Sequence, residues 1–297
     1  MKYISVSDFA KKWNVPERTV RYNCVKGKIE GAFLTGKTWN IPEDYEWPDK
    51  TIRQNKSENH LLKILKEQKE MKLKGGIYHR TQIDLTYSSN RIEGSMLSHD
   101  QTRFIFETNT LGPTVESTNV DDVIETSNHF RCVDLILEKA NFKLSETMIK
   151  DLHYILKSGT SDARKDWFNV GGYKKLPNEV GGNETCLPEL VDVKMKELLS
   201  EYHQKREKTL TDIIDFHHKF ELIHPFQDGN RRVGRLILFK ECLANNIIPF
   251  IITEDLKFFY YRGLQEWQNV KEYLVDTCLT AQDNYKNIMN NFRINQN

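Results

Sequence analysis

A twelve-residue stretch, HPFQDGNRRVGR at 224–235, holds the side chains of this chain that are best suited to chemistry. The imidazole of His224 belongs to the side-chain type that titrates near neutral pH, so it can act as a base toward an incoming hydroxyl. The carboxylate of Asp228 suits a phosphate site only if a cation such as Mg²⁺ stands between the two anions. Together these residues predict the transfer of a phosphate-containing group to an alcohol.

The flanking sequence predicts that this stretch lies at the start of a helix. Upstream, apolar residues at helical spacing put His224 at the end of one helix, and RRVGRLILFKECL begins the next. The Asp-Gly-Asn at 228–230 then forms a tight turn between the two helices. A helix N-terminus offers unpaired N–H groups and a positive dipole end, and Gly229 lets the backbone approach an anion closely.

Two arginines complete the expected phosphate site. Arg232 and Arg235 lie three residues apart at the start of this helix and on one side of it, where each can hold phosphate oxygens with two donors. Taken singly, each residue also fits a basic helix start with a capping aspartate and a half-buried histidine. The ordered combination favours a phosphate-transfer site.

The same stretch resembles the Fic motif, HxFx(D/E)GNGRxxR, at His224, Phe226, Asp228, Gly229, Asn230, Arg232 and Arg235. The resemblance implies a protein adenylyltransferase, which transfers AMP from ATP to a hydroxyl side chain of a target protein or of itself. It implies that the histidine is the base, that the aspartate binds Mg²⁺ and that Phe226 anchors the loop. The nucleotide contacts that it implies are Gly229, Asn230, Arg232 and Arg235, and Arg231 beside them is predicted to be a further nucleotide-binding residue.

A second pattern lies far upstream, in SSNRIEGS. Residues 89–94 fit the inhibitory pattern of the same family, (S/T)xxxE(G/N). By resemblance to the class that carries this pattern N-terminal to the Fic core, Glu93 pairs with Arg235 and denies that arginine to the γ-phosphate of ATP. A carboxylate on a guanidinium competes directly with phosphate for the same donors. The alternative interpretation is an ordinary helix that ends in Glu-Gly.

Arg231 departs from the motif, which has a glycine at this position. The Doc branch of the superfamily has a lysine here and transfers a phosphate instead. Two alternatives therefore stand beside AMP transfer: a Doc-like protein phosphotransferase, and a DNA-binding regulator with a degenerate Fic domain. Gly229 favours AMP transfer, because the Doc branch has alanine in its place. Glu93 and the complete RxxR ending at Arg232 and Arg235 also belong to the AMP-transferring side.

From residue 58 onward, apolar-periodic segments alternate with short breaks, which predicts an all-α domain over 58–297, by resemblance a Fic-fold helical bundle. The predicted helices span about 58–73, 77–88, 98–108, 119–140, 145–157, 188–204, 209–224, 230–246, 255–267 and 270–292. The exception is 167–188, where two Gly-Gly pairs and two prolines exclude a helix and predict a loop or small β-hairpin. By resemblance, its 171–188 part is the flap that holds a target protein as an extended strand.

Residues 1–47 are predicted to form a separate module. Apolar residues recur at helical spacing behind serine caps, a second helix starts near Pro16, and IEGAFLTGKTWNIP alternates around a turn at 35–37. Two helices and a hairpin resemble the winged helix-turn-helix of the excisionase and MerR-like families. The segment 48–57, which is rich in charge, is predicted to be a linker.

The charge of this module favours DNA binding. Residues 1–41 hold eight lysines and arginines against three acidic residues, which gives a formal charge of +5. The residues expected to face DNA from the early turns of the second helix are Arg18, Thr19, Arg21 and Tyr22. Small winged modules also dock proteins, and this is the alternative.

The composition sets limits on the whole chain. Forty-three lysines and arginines against 42 acidic residues leave a formal charge of +1, which argues against a general polyanion binder. The five cysteines have no CxxC spacing, so neither a disulfide framework nor a zinc site is predicted, and a cytoplasmic location is expected. A polar N-terminus without long apolar runs predicts no signal peptide and no membrane partner. Because proteins that resemble this one are frequently dimers, a homodimer is a further expectation.

Overall fold

The computed structural model describes residues 2–13, 15–36, 38–45, 59–113 and 117–294. The chain divides into two compact units, Met1–Ile52 and Arg53–Asn297. The predicted linker, 48–57, lies outside the described residues, as does Lys37 of the predicted hairpin turn. Within the described ranges, no helix is both long and apolar enough to cross a membrane.

The first unit is a three-stranded antiparallel sheet with two helices. Its elements are β1 (Tyr3–Ser5), α1 (Val6–Trp13), α2 (Glu17–Val25), β2 (Phe33–Thr35) and β3 (Thr38–Pro42). The strand order is β1-β3-β2, so a strand that was not predicted extends the predicted hairpin. Three residues are too few to show an alternating pattern in the sequence. Phe9, Val20 and Ile41 are fully buried and join α1, α2 and β3 in one core.

The second unit is mostly helical, and this prediction is confirmed. Its helices are α3 (His60–Glu70), α4 (Ile77–Ile92), α5 (His99–Thr108), α6 (Val120–Glu138), α7 (Glu146–Lys157), α8 (Pro188–Gln204), α9 (Leu210–Ile223), α10 (Asn230–Ala244), α11 (Lys257–Glu266) and α12 (Glu272–Asn291). Single 3₁₀ turns lie at Asp162–Arg164 and Glu254–Leu256. Each helix overlaps a predicted one, which leaves the ends as the main differences.

The largest of these differences is the end of α4, which runs to Ile92 although the sequence predicts an end near residue 88. Its last turns are polar and break the apolar pattern, but they are buried and paired with α6. Thr86 Oγ1 lies 2.9 Å from a ring nitrogen of His129, and the Asn90 amide donates to Thr126 at 3.1 Å. These tertiary contacts extend the helix to the position where Glu93 follows it.

Helix α10 lies at the centre of the second unit. Every residue in it except Arg231 is buried, and it packs against α4, α6, α7 and α9. Gly234 allows the close approach of α9, because a Cβ atom there would lie 2.5 Å from Oε1 of Glu221. Since α10 is enclosed on all sides, the loop that enters it has a fixed direction.

The segment 167–188 forms the small hairpin that was one of the two predicted outcomes. Strands β4 (Glu179–Val180) and β5 (Asn183–Glu184) pair antiparallel. Gly181 and Gly182 connect them with φ of 59° and 80°. Two consecutive left-handed residues match the tight hairpin turn that glycine permits most easily.

Candidate active site

The loop between α9 and α10 is shaped by two residues in left-handed conformation. His224 follows α9 with φ of 50°, and Gly229 precedes α10 with φ of 80°. The Asn230 amide closes the loop, because its Oδ1 accepts from the N–H of Phe226 at 2.7 Å and its Nδ2 donates to the carbonyl of Phe226 at 2.8 Å. The side chain of Asn230 is therefore used within the loop, and a phosphate contact by this residue would use its backbone N–H.

Phe226 lies below the loop, in the place that the resemblance to the Fic motif implies for an anchor. Its ring is fully buried and stacks on the His153 ring at a centroid distance of 4.0 Å with an interplanar angle of 6°. The ring of Tyr173 lies 5.8 Å away on another side. The loop thus has an apolar base, and its polar residues face a cavity.

His224 lines this cavity, which has a volume of about 310 Å³. Burial lowers the pKa of His224 to about 4, and the positive charges of Lys174 and Arg231 act in the same direction. Glu221 lies 3.9 Å from Nδ1 of His224, but burial raises the pKa of Glu221 to about 8, so this group does not hold a positive charge on the imidazole at neutral pH. The imidazole is neutral near pH 7 and able to accept a proton.

Asp228 lines the same cavity with a half-exposed side chain and contacts two cations. Its Oδ2 accepts from Lys157 Nζ at 2.7 Å and from Arg232 Nη2 at 3.3 Å. Burial would raise the pKa of Asp228, but the charges of Arg232 and Lys157 outweigh burial and hold it well below its usual range. The group is a permanent carboxylate.

The carboxylate of Asp228 could contribute one protein ligand to a metal ion. No group of three or more acidic, histidine or cysteine side chains capable of holding a metal occurs among the described residues. A site of this kind suits Mg²⁺, which binds proteins through one or two carboxylates and completes its shell with water and substrate phosphates. The exposed carboxylate at the start of α10 meets this requirement.

Arg235 is held by both ends of the SxxxE pattern on α4. Its Nε donates to Ser89 Oγ at 3.1 Å, its Nη2 to the Ser89 carbonyl at 2.7 Å, and its Nη1 to Glu93 Oε1 at 2.8 Å. Residues four apart lie on one face of a helix, so Ser89 and Glu93 can contact the same guanidinium. The pairing of Glu93 with Arg235, expected from the resemblance, is present in the geometry.

Arg231 lies on the opposite side of the same glutamate. Its Nη1 is 3.6 Å from Glu93 Oε2 and donates to the hydroxyl of Tyr261 at 3.3 Å. The guanidinium stands 4.5 Å above the Tyr261 ring, and that hydroxyl donates to Glu93 Oε1 at 3.3 Å. Glu93 is thus held by two arginines and one tyrosine. Burial would raise its pKa, but Arg235 and Arg231 hold it below the ordinary value.

Arg232 has a different carboxylate partner, Glu125 on α6. Both terminal nitrogens of Arg232 donate to Glu125, Nη1 to Oε2 and Nη2 to Oε1. Lys157 at the end of α7 donates to the same Oε1 at 2.5 Å and to Asp228 at 2.7 Å. Lys157, Glu125, Arg232 and Asp228 therefore form a closed ring in which each cation contacts both acids.

The hairpin of the 171–188 segment is fixed to the same loop at its base. The N–H of Lys174 donates to the Pro225 carbonyl at 2.9 Å, and Asn178 Nδ2 donates to the Phe226 carbonyl at 3.2 Å. The buried ammonium of Lys174 donates to Asn178 Oδ1 at 2.8 Å and to Thr185 Oγ1 at 2.6 Å. The hairpin residues Glu179, Val180 and Gly181 form part of the cavity wall.

Sequence reasoning did not find four residues of this site: Glu125, Lys157, Lys174 and Tyr261. Each lies on an element distant in sequence from the 224–235 stretch, inside an ordinary helical or loop pattern. Lys157 is the last residue of an amphipathic helix, where a lysine is expected for the helix dipole alone. Only the packing reveals that its side chain is buried among three acids.

The residues predicted to face DNA lie on α2 of the first unit. Arg18, Thr19, Arg21 and Tyr22 are all exposed, while Val20 and Cys24 of the same helix are buried. The Tyr22 ring lies under the ammonium groups of Lys26 and Lys28 at 5.9 and 6.0 Å. The predicted residues therefore share an exposed, basic helix surface.

Residues 143–241, which contain the whole loop and most of α10, match the Fic/DOC family. The chain contains a Fic/DOC family domain. Over 184 residues it is 28% identical to the protein adenylyltransferase fic-1 of Caenorhabditis elegans, a match that covers 60% of this chain and 35% of that protein. The protein adenylyltransferase Fic of Nematostella vectensis is 25% identical, with 61% and 42% covered. The chain thus spans less than half the length of these curated relatives.

Solved structures that contain a Fic/DOC domain share the fold. A Fic-domain-containing signalling protein from Bacteroides thetaiotaomicron superposes with a TM-score of 0.60 at 19% identity, covering 75% of this chain and 92% of that one. Fic-1 from Caenorhabditis elegans gives a TM-score of 0.57 at 20% identity, covering 78% and 72%. The second unit therefore has the mostly helical Fic fold.

Proposed function

We propose that the Fic/DOC domain is a protein adenylyltransferase that uses ATP as co-substrate. The observation that carries the proposal is the neutral imidazole of His224 beside the carboxylate of Asp228, in a cavity at the N-terminus of a buried helix. A base, an anion-binding helix start and a metal-binding carboxylate are the parts that this transfer needs. The names of the curated relatives support the same activity.

The reaction is an in-line substitution at the α-phosphorus of ATP. The hydroxyl oxygen of the target attacks this phosphorus, the bond to the oxygen that bridges the α- and β-phosphates breaks, and pyrophosphate leaves. His224 takes the proton of the attacking hydroxyl. The N–H groups at the start of α10, together with Arg232 and Arg235, bind the negative charge of the phosphates.

Mg²⁺ is the proposed cofactor, with Asp228 as its protein ligand. When bound, the ion neutralises phosphate charge and favours departure of pyrophosphate. Asp228 remains ionised because Lys157 and Arg232 stabilise its charge, so protonation does not compete with metal binding near neutral pH.

Glu93 is the proposed inhibitor. It lines the cavity and holds Arg235 through a charge-assisted hydrogen bond of 2.8 Å, so a phosphate group must displace it to reach that guanidinium. Removal of this carboxylate frees one clamp for the γ-phosphate. The second contact, with Arg231, adds to the cost of that displacement.

Arg231 is the residue that suggests phosphotransfer as the alternative. Its guanidinium lies over the Tyr261 ring and beside Glu93, in a position that is already satisfied by protein groups. This contact with Glu93, the glutamate expected on the AMP-transferring side, supports AMP transfer. A degenerate domain without activity is the third candidate, and intact His224 and Asp228 speak against it.

The proposed protein substrate binds along the hairpin of the 171–188 flap. The exposed backbone of a short two-stranded hairpin can pair with an extended segment, which gives affinity with little sequence preference. The hairpin forms part of the cavity wall next to His224, so a hydroxyl on the paired segment would reach the base. A homodimer stays a prediction.

The first unit is proposed to bind DNA through α2. Four exposed residues on one helix and a local charge of +5 support this proposal. The variant Arg18→Ala/Arg21→Ala should reduce the slope of log affinity against log salt by about 2 in an electrophoretic binding series, since each lost phosphate contact contributes about 0.9. DNA binding that is unchanged in affinity and slope would exclude α2 as the contact.

The test of the main proposal uses ATP labelled at two different phosphates. Glu93→Gly protein with Mg²⁺ should become labelled by ATP carrying the label on the α-phosphate and not by ATP carrying it on the γ-phosphate. His224→Ala in the same background should lower labelling by about 10²- to 10⁴-fold, the range for loss of a general base. Label from the γ-phosphate alone would instead establish phosphotransfer, and no label from either would exclude both transfers.

A further inference from the structure

Arg232 is one of the two arginines assigned to phosphate, yet both of its terminal nitrogens face a protein carboxylate. Glu125 accepts from Nη1 and Nη2, so the pair has the two-pronged geometry that fixes a guanidinium in one orientation. The Arg232 side chain is 7% exposed and that of Glu125 is 12% exposed. Such a contact is poorly screened by water and sets where the arginine can point.

Glu125 itself has a dedicated cation, Lys157. The ammonium of Lys157 is 2.5 Å from Glu125, 2.7 Å from Asp228 and 3.0 Å from Asp162, and its side chain is 3% exposed. A buried ammonium with three carboxylate partners is expensive to move, because each lost contact leaves an unpaired charge in a poorly solvated place. Lys157 therefore ties α6, the 3₁₀ turn and the loop before α10 to one point.

The ion cluster formed by Lys157, Glu125, Arg232 and Asp228 lies only partly in the cavity wall, and this decides the role of its members. Among the described residues, those that line the cavity include Asp228, Arg232 and Glu93 but neither Glu125 nor Lys157. Glu125 thus contacts Arg232 from behind, and it does not occupy the volume that a phosphate would enter. A carboxylate in that place orients the arginine without competing for the cavity.

We infer that Glu125 and Lys157 are positioning residues, which hold Arg232 and Asp228 in the orientation that binds the triphosphate of ATP. The inference rests on the proposed function, since it takes Arg232 and Asp228 to be the groups that meet phosphate and Mg²⁺. It adds two residues that act through others: Glu125 aligns the guanidinium, and Lys157 links Glu125 to Asp228 so that both ligands keep a constant separation.

The test measures binding and requires no turnover. In Glu93→Gly/His224→Ala protein, titration calorimetry with ATP and Mg²⁺ gives the affinity for the triphosphate, and titration with adenosine gives the affinity for the nucleoside alone. We expect Glu125→Gln to weaken ATP binding about tenfold, which corresponds to about 1.4 kcal/mol. Adenosine binding should change less than about twofold, because the cluster contacts only the groups that face phosphate.

Two control variants distinguish the loss of Arg232 orientation from general damage to the fold. Glu138→Gln removes another glutamate of α6, one that is 58% exposed and paired with Lys69, and it should change neither affinity. Glu125→Asp keeps the carboxylate and should recover most of the ATP affinity. Melting temperatures measured for each variant should stay well above the titration temperature.

Three outcomes overturn the inference: unchanged ATP binding in Glu125→Gln, equal losses for ATP and adenosine, or no recovery in Glu125→Asp. Failure of the proposed function looks different, because it would appear as absent transfer in Glu93→Gly protein while ATP still binds. The two failures are therefore read from separate experiments.

Discussion

Glu93 and Glu125 each bind an arginine of helix α10, but Glu93 lines the cavity assigned to phosphate and Glu125 does not. Glu93 lies within the cavity, has a side chain that is 21% exposed and holds Arg235 with one oxygen. Glu125 lies behind Arg232, is 12% exposed, and has Lys157 as a cation of its own. For the same kind of ion pair we therefore propose two roles, a removable inhibitor at Glu93 and a permanent support at Glu125.

The difference between the two glutamates depends on which cations lose a partner when each carboxylate moves away. If Glu93 moves away, Arg235 keeps Ser89 and gains room for a phosphate, so its charge is matched again. If Glu125 moves away, Lys157 and Arg232 lose a shared partner in a buried place, where unpaired charge is costly. Exchange of the glutamate carboxylate for a phosphate is therefore possible at Arg235 and unfavourable at Arg232.

The largest expected effect comes from Lys157→Met, which removes the cation at the centre of the supporting cluster. Glu125 and Asp228 would then share one arginine, and Asp162 would keep only Lys165, so we expect the free energy of unfolding to fall by about 3 kcal/mol. Urea unfolding measures this change, and Lys196→Met, which breaks an exposed pair with Asp192, is the matched control. If Lys157→Met lowers the free energy of unfolding no more than Lys196→Met does, the ion cluster around Lys157 does not stabilise the fold.

Glu93→Gln should have the opposite profile, with a large gain in transfer and little change in stability. Loss of the charge weakens the contact with Arg235, so the side chain at position 93 competes less with the γ-phosphate for this guanidinium. A contact weakened by about 1.4 kcal/mol corresponds to about tenfold faster labelling. The free energy of unfolding should change by no more than about 1 kcal/mol because the amide still accepts a hydrogen bond. Labelling no faster than in the parent protein would contradict the inhibitory role.

Arg231→Gly should increase transfer by a smaller factor, about two- to fivefold, because its 3.6 Å contact with Glu93 is partly exposed. The gain should vanish when Glu93→Gln is already present, since both changes act on one contact. A double-variant comparison of labelling rates measures this coupling. Additive gains would mean that Arg231 acts on the nucleotide and not through Glu93.

The predictability of the site from sequence also differs between the two glutamates. Glu93 was predicted because a short pattern marks it, whereas Glu125 and Lys157 lie in ordinary amphipathic helices. Glu125 contacts a residue 107 positions away, and the contact depends on how α6 packs against α10. Local pattern identifies helices and compact motifs, while a buried ion cluster assembled from three elements needs the tertiary structure.

Arg231 shows the same limit within the motif itself. Its departure from the expected glycine was visible in the sequence, but its stacking on Tyr261 of α11 was not. The end of α4 was missed for a related reason, because polar residues beyond position 88, such as Asn90, look like the end of a helix until the partner of Asn90 on α6 is known.

The smallest expected effect is the pH dependence of the Glu93 contact. Burial would raise the pKa of Glu93, but Arg235 and Arg231 outweigh it and hold it below the ordinary value of 4.5. A carboxyl of lowered pKa stabilises the folded state above its unfolded pKa and loses this contribution as the pH falls through its folded pKa. The difference in unfolding free energy between the parent and Glu93→Gln should therefore be constant near neutral pH and shrink below about 4.5. A difference that grows in acid would contradict this sign.

The central claim is tested most directly by the intact mass of Glu93→Gly protein after incubation with ATP and Mg²⁺. The account predicts a gain of one or more AMP groups, each about four times the mass of a phosphoryl group, and no gain when His224→Ala is added. A gain of phosphoryl groups, or an unchanged mass in Glu93→Gly protein that binds ATP, would contradict it.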